Sequence, residues 1–229
     1  MQFIPTGRVF DEGVGKRVHI VIFADRSDAG RQLAAKLAGY SGPDTRVLAL
    51  PRGGVPVAFE VASALRAPLD VCIVRKLGAP GREELAIGAI ASGGVKVLNR
   101  ETIDELRVDD TTLSEIVRRE EAELSRREET YRGGLPALDV AGCTVLLIDD
   151  GLATGASMYA AILTLRARSP ARIVVAVPVA PADTVMQLQH YADDVVCLAM
   201  PRPFRGVGAW YTDFTQTTDE EVREILHAC

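Results

Sequence analysis

A chain of 229 residues with 48% hydrophobic and 25% charged content has the composition of a globular protein, long enough for one large domain with appendages. Its 26 Lys and Arg against 31 Asp and Glu leave a formal net charge of −5, which argues against a protein built mainly to bind nucleic acid or an anionic membrane. The opening Met1-Gln2-Phe3-Ile4-Pro5 lacks the basic region and apolar block of a signal peptide, and no uninterrupted apolar run approaches the roughly 20 residues that span a bilayer, so a cytoplasmic location is expected. Cys72, Cys143, Cys197 and Cys229 stand far apart without metal-ligand spacing, and three of them lie in or beside apolar runs where free thiols pack.

Residues 1–22 carry no motif, although the stretch from Val18 to Phe23 reads as an accessory or edge strand. A helical pattern follows Asp25-Arg26-Ser27-Asp28, with Leu33, Ala34 and Leu37 on one face and Ser27 as the expected N-cap. Residues 46–50 form a short buried strand that runs into Pro51-Arg52-Gly53-Gly54-Val55-Pro56, and a helix is expected over 57–66. Two glycines at a strand-to-helix turn let the backbone approach a ligand, and Arg52 offers a planar fork of donors to a phosphate. Taken alone, the same turn is equally an ordinary tight connection.

The next strand, 69–74, ends at Arg75-Lys76, of which Lys76 is the better placed cation. Leu77-Gly78-Ala79-Pro80-Gly81-Arg82-Glu83-Glu84 has two glycines, a proline and three charges, the composition of a mobile surface loop over 77–85 rather than of a core element. Two apolar runs, 86–91 and 95–98, joined by Ser92-Gly93-Gly94, signal a hairpin. Residues 101–132 are dense in charge around a thin stripe of Leu113, Ile116, Val117 and Leu124. They read as a surface helix pair whose stripe covers the home core or a second subunit, which leaves a homodimer open.

The most informative stretch is Val145-Leu146-Leu147-Ile148-Asp149-Asp150-Gly151-Leu152-Ala153-Thr154-Gly155-Ala156-Ser157. Its apolar half suits a strand buried on both faces of a parallel sheet. Asp149 and Asp150 then stand at the carboxyl end, facing the crevice where open α/β sheets bind ligands. A helix starting near Ala156 places the N–H groups and hydroxyls of Thr154, Gly155, Ala156 and Ser157 where a phosphate is favoured. The acids can hold vicinal hydroxyls and the loop a phosphate. The competing account, a capped helix with acids at its mouth, leaves the loop composition unexplained and the acids raising each other's pKa.

Strands at 171–177 and 195–199 flank a helix over 181–192, so strands alternate with helices from 46 to 199, the pattern of a right-handed, mainly parallel sheet. Over 200–217 the pattern breaks, and Phe204, Trp210, Tyr211 and Phe214 concentrate there. Thr218-Asp219-Glu220-Glu221 is a capping box for a last helix reaching about His227. A single domain over 1–229 is expected, with its core at about 25–199. His19, His190 and His227 have no indicated role in chemistry.

The order of apolar strand, Asp149-Asp150, three residues and Thr154-Gly155-Ala156-Ser157 resembles the phosphoribosyl pyrophosphate (PRPP) motif of the type I phosphoribosyltransferases. With PRGGVP and RKLGAPG, the chain over about 20–225 looks most like the uncharacterised phosphoribosyltransferase-domain proteins of bacteria. The resemblance implies an α/β fold with a mainly parallel five-stranded sheet flanked by helices, a small hood and a flexible loop. It further implies transfer of the phosphoribosyl group of PRPP to a nitrogenous acceptor, a purine-like base among the candidates, with release of pyrophosphate. Asp149 and Asp150 would contact the ribose hydroxyls, and Ala153 to Ser157 the 5′-phosphate. Arg52-Gly53-Gly54, often with a non-proline cis peptide, would bind pyrophosphate beside Arg75 and Lys76. The closing loop would bring Glu83 or Glu84 for proton transfer. Mg²⁺ would come with the substrate, bound mainly through substrate oxygens and water with Asp149 and Asp150 as outer contacts.

Hood residues would come from 200–217 and the N-terminal segment, with Trp210 and Tyr211 as a flat wall for a base; the same aromatics could instead tether the last helix. In the hypoxanthine-guanine enzymes the third residue after the acid pair is an Asp, where this chain has Ala153; its Leu152-Ala153-Thr154-Gly155 is closer to the adenine enzymes. Expected partners are PRPP and a small-molecule acceptor, with neither nucleic acid nor membrane. The alternatives are a PRPP- or nucleotide-sensing regulator that keeps the fold without catalysis and, more remotely, a nucleoside phosphate hydrolase.

Overall fold

The structure, a computed structural model, describes residues 6–10 and 17–228. It opens with a two-stranded antiparallel ribbon, β1 (Thr6–Phe10) with β2 (Arg17–Val21), the accessory pairing expected near Val18. Helix α1 (Arg26–Leu37) is capped two residues earlier than expected: the cap is Asp25, whose carboxylate accepts the Asp28 N–H at 2.7 Å, and Ser27 lies inside the helix. Strand β3 (Thr45–Ala49) leads through the Pro51–Gly53 turn into α2 (Gly54–Leu65), and β4 (Leu69–Val71) follows.

The strand expected to continue to Val74 is divided at Cys72 and Ile73, because the chain leaves the first sheet there. Strands β5 (Val74–Ala79), β6 (Arg82–Ala91) and β7 (Val95–Leu98) form a separate three-stranded antiparallel sheet. The loop expected over 77–85 is therefore a β-hairpin. Its Gly and Pro are accounted for by the Pro80-Gly81 turn, with Gly81 at φ +68°, and by a register shift at Gly78. Leu77 and Ala79 alternate inward and are buried, correcting their assignment outside the core. The hairpin expected at Ser92-Gly93-Gly94 joins β6 to β7.

Helices α3 (Arg100–Glu105) and α4 (Asp110–Arg132) are the expected pair. Leu113, Ile116, Val117 and Leu124 are buried in the chain's own core, so the stripe is not an open face for a second subunit. Then come β8 (Thr144–Ile148), α5 (Ala156–Arg166), β9 (Arg172–Val179), α6 (Ala182–Leu188), β10 (Asp194–Ala199) and α7 (Asp219–His227), the last with its complete capping box. Helix α6 starts after Pro181 as expected but ends at Leu188, short of the expected 192.

The main sheet is all parallel in the order β10-β9-β8-β3-β4. From β3 the chain steps outward to β4, and from β8 it steps the opposite way to β9 and β10. The boundary between β3 and β8 is thus the switch point where such sheets hold ligands at their carboxyl ends. Strand side chains alternate between two apolar layers. Val47, Ala49, Leu146, Ile148, Val174 and Ala176 pack with α1, α2, α4 and α7. Leu48, Val145, Leu147, Ile173, Val175 and Val177 pack with α5 and α6. Both faces are covered, which is why these strands read as continuous apolar runs. Among the described residues no helix is long and apolar enough to cross a membrane.

Candidate functional site

The site is assembled where β3 and β8 end. The peptide between Pro51 and Arg52 is cis, as the resemblance anticipated for this loop. Gly53 and Gly54 are required by proximity. A Cβ on residue 53 would stand 2.0 Å from Asp150 Oδ2, and one on residue 54 would stand 2.8 Å from the Ile148 carbonyl and 2.9 Å from Asp149 Cα. The glycine loop therefore lies directly against the acid pair. Gly54 donates its N–H to the Leu50 carbonyl at 3.1 Å, so it is not a free ligand donor; the Gly53 amide has no partner among the described residues.

The acid pair is partly buried and close-spaced. Asp149 accepts the Asp150 N–H at 2.8 Å, and Asp150 Oδ2 accepts from Arg26 Nε at 2.8 Å. Burial pushes the Asp149 carboxyl well above the usual carboxylate range and the neighbouring Asp150 charge adds to it. Burial also raises Asp150, with Arg26 opposing. Two acids held together against this cost mark a candidate ligand site.

A cleft of about 400 Å³ opens beside Asp149, lined by Pro51, Arg75, Lys76, Asp149 and Ser157 among others. Residues named from three separate stretches of sequence thus face one space. Arg75 is not a free cation: it donates to Glu120 Oε2 from Nε at 2.8 Å and from Nη2 at 2.5 Å. Arg119, Glu120 and Arg127 of α4 line the same cleft, and the charge-dense pattern of that helix gave no sign of this.

Arg52 does not point at the cleft. Its side chain is 37% exposed and pairs with Asp219 Oδ1 at 3.6 Å, at the start of α7.

The loop from Ala153 to Ser157 enters α5 at the expected place. Gly155 takes φ +73°, a conformation that favours glycine, and a Cβ there would meet Thr184 Cγ2 at 2.8 Å. Thr184 Oγ1 donates to the Ala153 carbonyl at 2.9 Å and so steadies the loop. Thr154, Gly155 and Ala156 face a second space of about 590 Å³ bounded by α5 and α6, while Ser157 faces the cleft.

The aromatic segment is placed differently from expectation. Tyr211 is 6% exposed, packed 5.3 Å from Phe23 and 5.0 Å from Phe214 between ring centres, and its hydroxyl donates to the Asp150 carbonyl at 2.5 Å. A ring so enclosed offers no flat wall to a base, which corrects that expectation for Tyr211. Trp210 does not line the cleft either, and its indole N–H is buried without a partner among the described residues. The segment pairs with the N-terminal one: Phe23 donates to the Trp210 carbonyl at 2.9 Å, and Thr212 and Asp213 donate back at 2.8 and 2.9 Å. Glu83 and Glu84 follow Arg82 in the turn-proximal part of β6, but their side chains lie outside what is described.

Sequence reasoning missed Arg26. It contacts Asp150 from 124 positions away, and nothing in Asp25-Arg26-Ser27 announces more than a helix start. Among the described residues no cluster of three or more His, Cys, Asp or Glu could hold a metal alone. Two carboxylates, one shared with Arg26, fit a hard cation that keeps its waters and takes other oxygens from a bound phosphate.

Known proteins bear on this geometry directly. The chain is 50% identical over 205 residues to a protein of Mycobacterium tuberculosis named "Putative phosphoribosyl transferase", recorded from strains CDC 1551 and H37Rv. That match covers 90% of this chain and 46% of the relative, so the chain spans about half the length of the curated relatives it matches. A crystal structure of a Thermus thermophilus protein is 45% identical and superposes with a TM-score of 0.83 over 90% of this chain and 97% of that one. The family model described as phosphoribosyl transferase domain matches residues 22–209, which takes in the sheet, the glycine loop and the acid pair. The chain belongs to the phosphoribosyl transferase domain family and has its α/β, parallel five-stranded fold.

Proposed function

We propose that the protein is a PRPP-dependent transferase that moves the phosphoribosyl group to a nitrogenous small molecule and releases pyrophosphate. The observation that carries this reading is the contact of the Gly53-Gly54 loop with Asp149 and Asp150 at the β3/β8 switch point, beside a cleft lined by Lys76. In this reading the acceptor nitrogen attacks C1 of the ribose, the bond from C1 to the pyrophosphate oxygen breaks, and its electron pair leaves with pyrophosphate. Most of the work is electrostatic, because negative charge gathers on the leaving group as the ribose becomes cationic.

Lys76 and the Gly53 N–H serve the pyrophosphate. Asp149 and Asp150 hold the ribose hydroxyls, and Thr154 to Ser157 the 5′-phosphate. Mg²⁺ bound with the substrate would neutralise part of the pyrophosphate charge, with Asp149 and Asp150 as its outer contacts through water. Such an enzyme works on cytoplasmic metabolites.

The side chain of Ala153 can neither donate to nor accept from a purine N7. Adenine-like acceptors are therefore expected to outperform hypoxanthine and guanine. Any acid or base comes from the β5–β6 hairpin, as Glu83 or Glu84. The test is pyrophosphate release from Mg²⁺-PRPP with a panel of bases. Replacing both glutamates with Gln should lower turnover at least about tenfold, at the low end of general acid–base effects, with PRPP affinity nearly unchanged. Failure of the parent protein to bind Mg²⁺-PRPP in calorimetry removes the reading. Parent-rate turnover by the double variant removes only the glutamate role, and equal use of hypoxanthine and adenine removes only the Ala153 argument.

A further inference from the structure

Arg26 touches three things that the chain keeps far apart. Its Nε–H donates to Asp150 Oδ2 at 2.8 Å, its Nη1 donates to the Thr215 carbonyl at 2.7 Å, and its guanidinium carbon lies 4.0 Å from the centre of the Phe214 ring. The side chain is 11% exposed and that of Asp150 13%. A planar fork is suited to this: one edge meets a carboxylate, another a carbonyl, and the face lies on an aromatic ring.

The same aromatic segment holds Asp150 from its other end, since the Tyr211 hydroxyl donates to the Asp150 carbonyl. Backbone pairing of Phe23 and Ala24 with residues 210–213 fixes the two segments to each other. Only Oδ2 of Asp150 is engaged by Arg26, which leaves Oδ1 for a ligand. Gly53 closes the arrangement from the other side, where a Cβ would stand 3.3 Å from Arg26 Nε.

Resting on the reading of Asp149 and Asp150 as ribose contacts, we propose that Arg26 is a positioning residue of the ribose subsite: it fixes the Asp150 carboxylate from behind and couples it to Phe214 and Thr215. The subsite is then complete only when residues 23–26 and 210–215 are docked on one another. The aromatic segment, which does not line the cleft, acts on the substrate through this arginine.

The test titrates the parent, Arg26→Gln and Arg26→Lys with three probes by calorimetry: Mg²⁺-PRPP, ribose 5-phosphate, and pyrophosphate without Mg²⁺, so that no metal contact with Asp150 enters the control. Arg26→Gln should weaken the two ribose-bearing probes by about tenfold or more, the scale of one charge-assisted contact, and leave pyrophosphate within about twofold. Arg26→Lys should recover part of the loss, since an ammonium can reach the carboxylate but cannot also serve Thr215 and lie flat on Phe214. If Arg26→Gln does not fold, Phe214→Leu keeps the cation, removes the ring beneath it and should weaken ribose 5-phosphate at least about threefold, the lower end of a cation–π contact.

Ribose probes bound by the variants as by the parent overturn the positioning role, and so does parallel loss of all three probes, which is what general loosening gives. A parent that binds none of the probes removes the PRPP reading and this proposal with it. A parent that binds all three, with variants that match it, removes this proposal alone.

Discussion

Two arginine–carboxylate pairs in this molecule use the same chemistry to opposite ends. Arg132, at the end of α4, grips Asp70 in β4 through Nε at 2.9 and 3.2 Å, and gives its other nitrogens to Ser92 Oγ at 3.0 Å and to the Val71 carbonyl at 2.6 Å. Asp70 also accepts the Val71 and Leu138 amides, at 2.7 and 2.9 Å. Both oxygens of Asp70 are engaged, and the network ties α4 and the following loop to the edge of the sheet.

At the end of β8 the hydrogen bonding is incomplete. Arg26 engages one oxygen of Asp150, and among the described residues the side chain of Asp149 accepts only the neighbouring amide. A saturated buried network rigidifies; an unsaturated pair of acids costs stability and waits for a partner.

The largest effect is expected from Arg132→Leu, which attacks the saturated pair. It leaves a buried carboxylate without its cation, which costs about 3–5 kcal/mol, read as a fall in the urea midpoint. The affinity for Mg²⁺-PRPP of the protein that remains folded should change less than about twofold, on the order of 0.4 kcal/mol. A variant as stable as the parent means that the saturated network contributes no more than an exposed pair.

Next in size is Gly53→Ala. The added Cβ meets Asp150 Oδ2 at 2.0 Å, so either the loop or the carboxylate must move. A misplacement of that order should lower Mg²⁺-PRPP affinity by about 1–3 kcal/mol, since charge-assisted contacts are lost, with a smaller effect on melting. Unchanged affinity would show that the loop and acids do not act on one substrate.

What was legible in the sequence follows from range. The acid pair, the phosphate loop and the start of α5 are local, because strand, acids, glycine and helix N-terminus occupy one continuous stretch and each leaves its own residue signature. The parallel sheet was legible because strands buried on both faces cannot hide their apolar runs. The β5–β6 hairpin reads as a loop when composition is weighed over the period-2 alternation of Leu77 and Ala79, which are buried.

Arg26 and Glu120 were invisible for another reason: each acts on a partner brought near only by tertiary structure, 124 and 45 positions away. Tyr211 stands out in the sequence but with the wrong role, since an aromatic that lines a site and one that seals it have the same sequence signature.

The unsatisfied acids should also show in stability, through Asp149→Asn. The folded-state pKa of Asp149 is raised, chiefly by burial. The native state therefore holds its proton more tightly than the unfolded chain, and stability present below the ordinary carboxylate range is lost as pH rises through the folded value. Asn at 149 cannot ionise and keeps the oxygen that accepts the Asp150 amide. Asp149→Asn should thus raise stability at pH 7 by on the order of 1 kcal/mol, one pKa unit being about 1.4 kcal/mol, and the gain should vanish near pH 3. It should weaken Mg²⁺-PRPP binding at the same time. A variant less stable than the parent at pH 7 would mean that this acid is satisfied after all, and that the contrast with Asp70 is lost.

The smallest expected effect comes from Tyr211→Phe, and it separates sealing from positioning. The ring stays, so the packing on Phe23 and Phe214 is kept, and only the hydroxyl that donates to the Asp150 carbonyl is removed. A carbonyl that loses one neutral hydrogen bond costs about 0.5–1.5 kcal/mol. If Tyr211 only seals the junction of the two segments, that cost appears wholly in the melting temperature and Mg²⁺-PRPP affinity stays at the parent value. If it also holds the backbone that carries the Asp150 carboxylate, affinity falls by about threefold, roughly 0.7 kcal/mol. Arg26 reaches the same carboxylate by a separate contact, so the loss should become larger in combination with Arg26→Lys than the two single losses added together. Unchanged affinity in Tyr211→Phe, with the double variant no weaker than Arg26→Lys, would assign the hydroxyl to sealing alone and leave Arg26 as the one link between the aromatic segment and the acid pair.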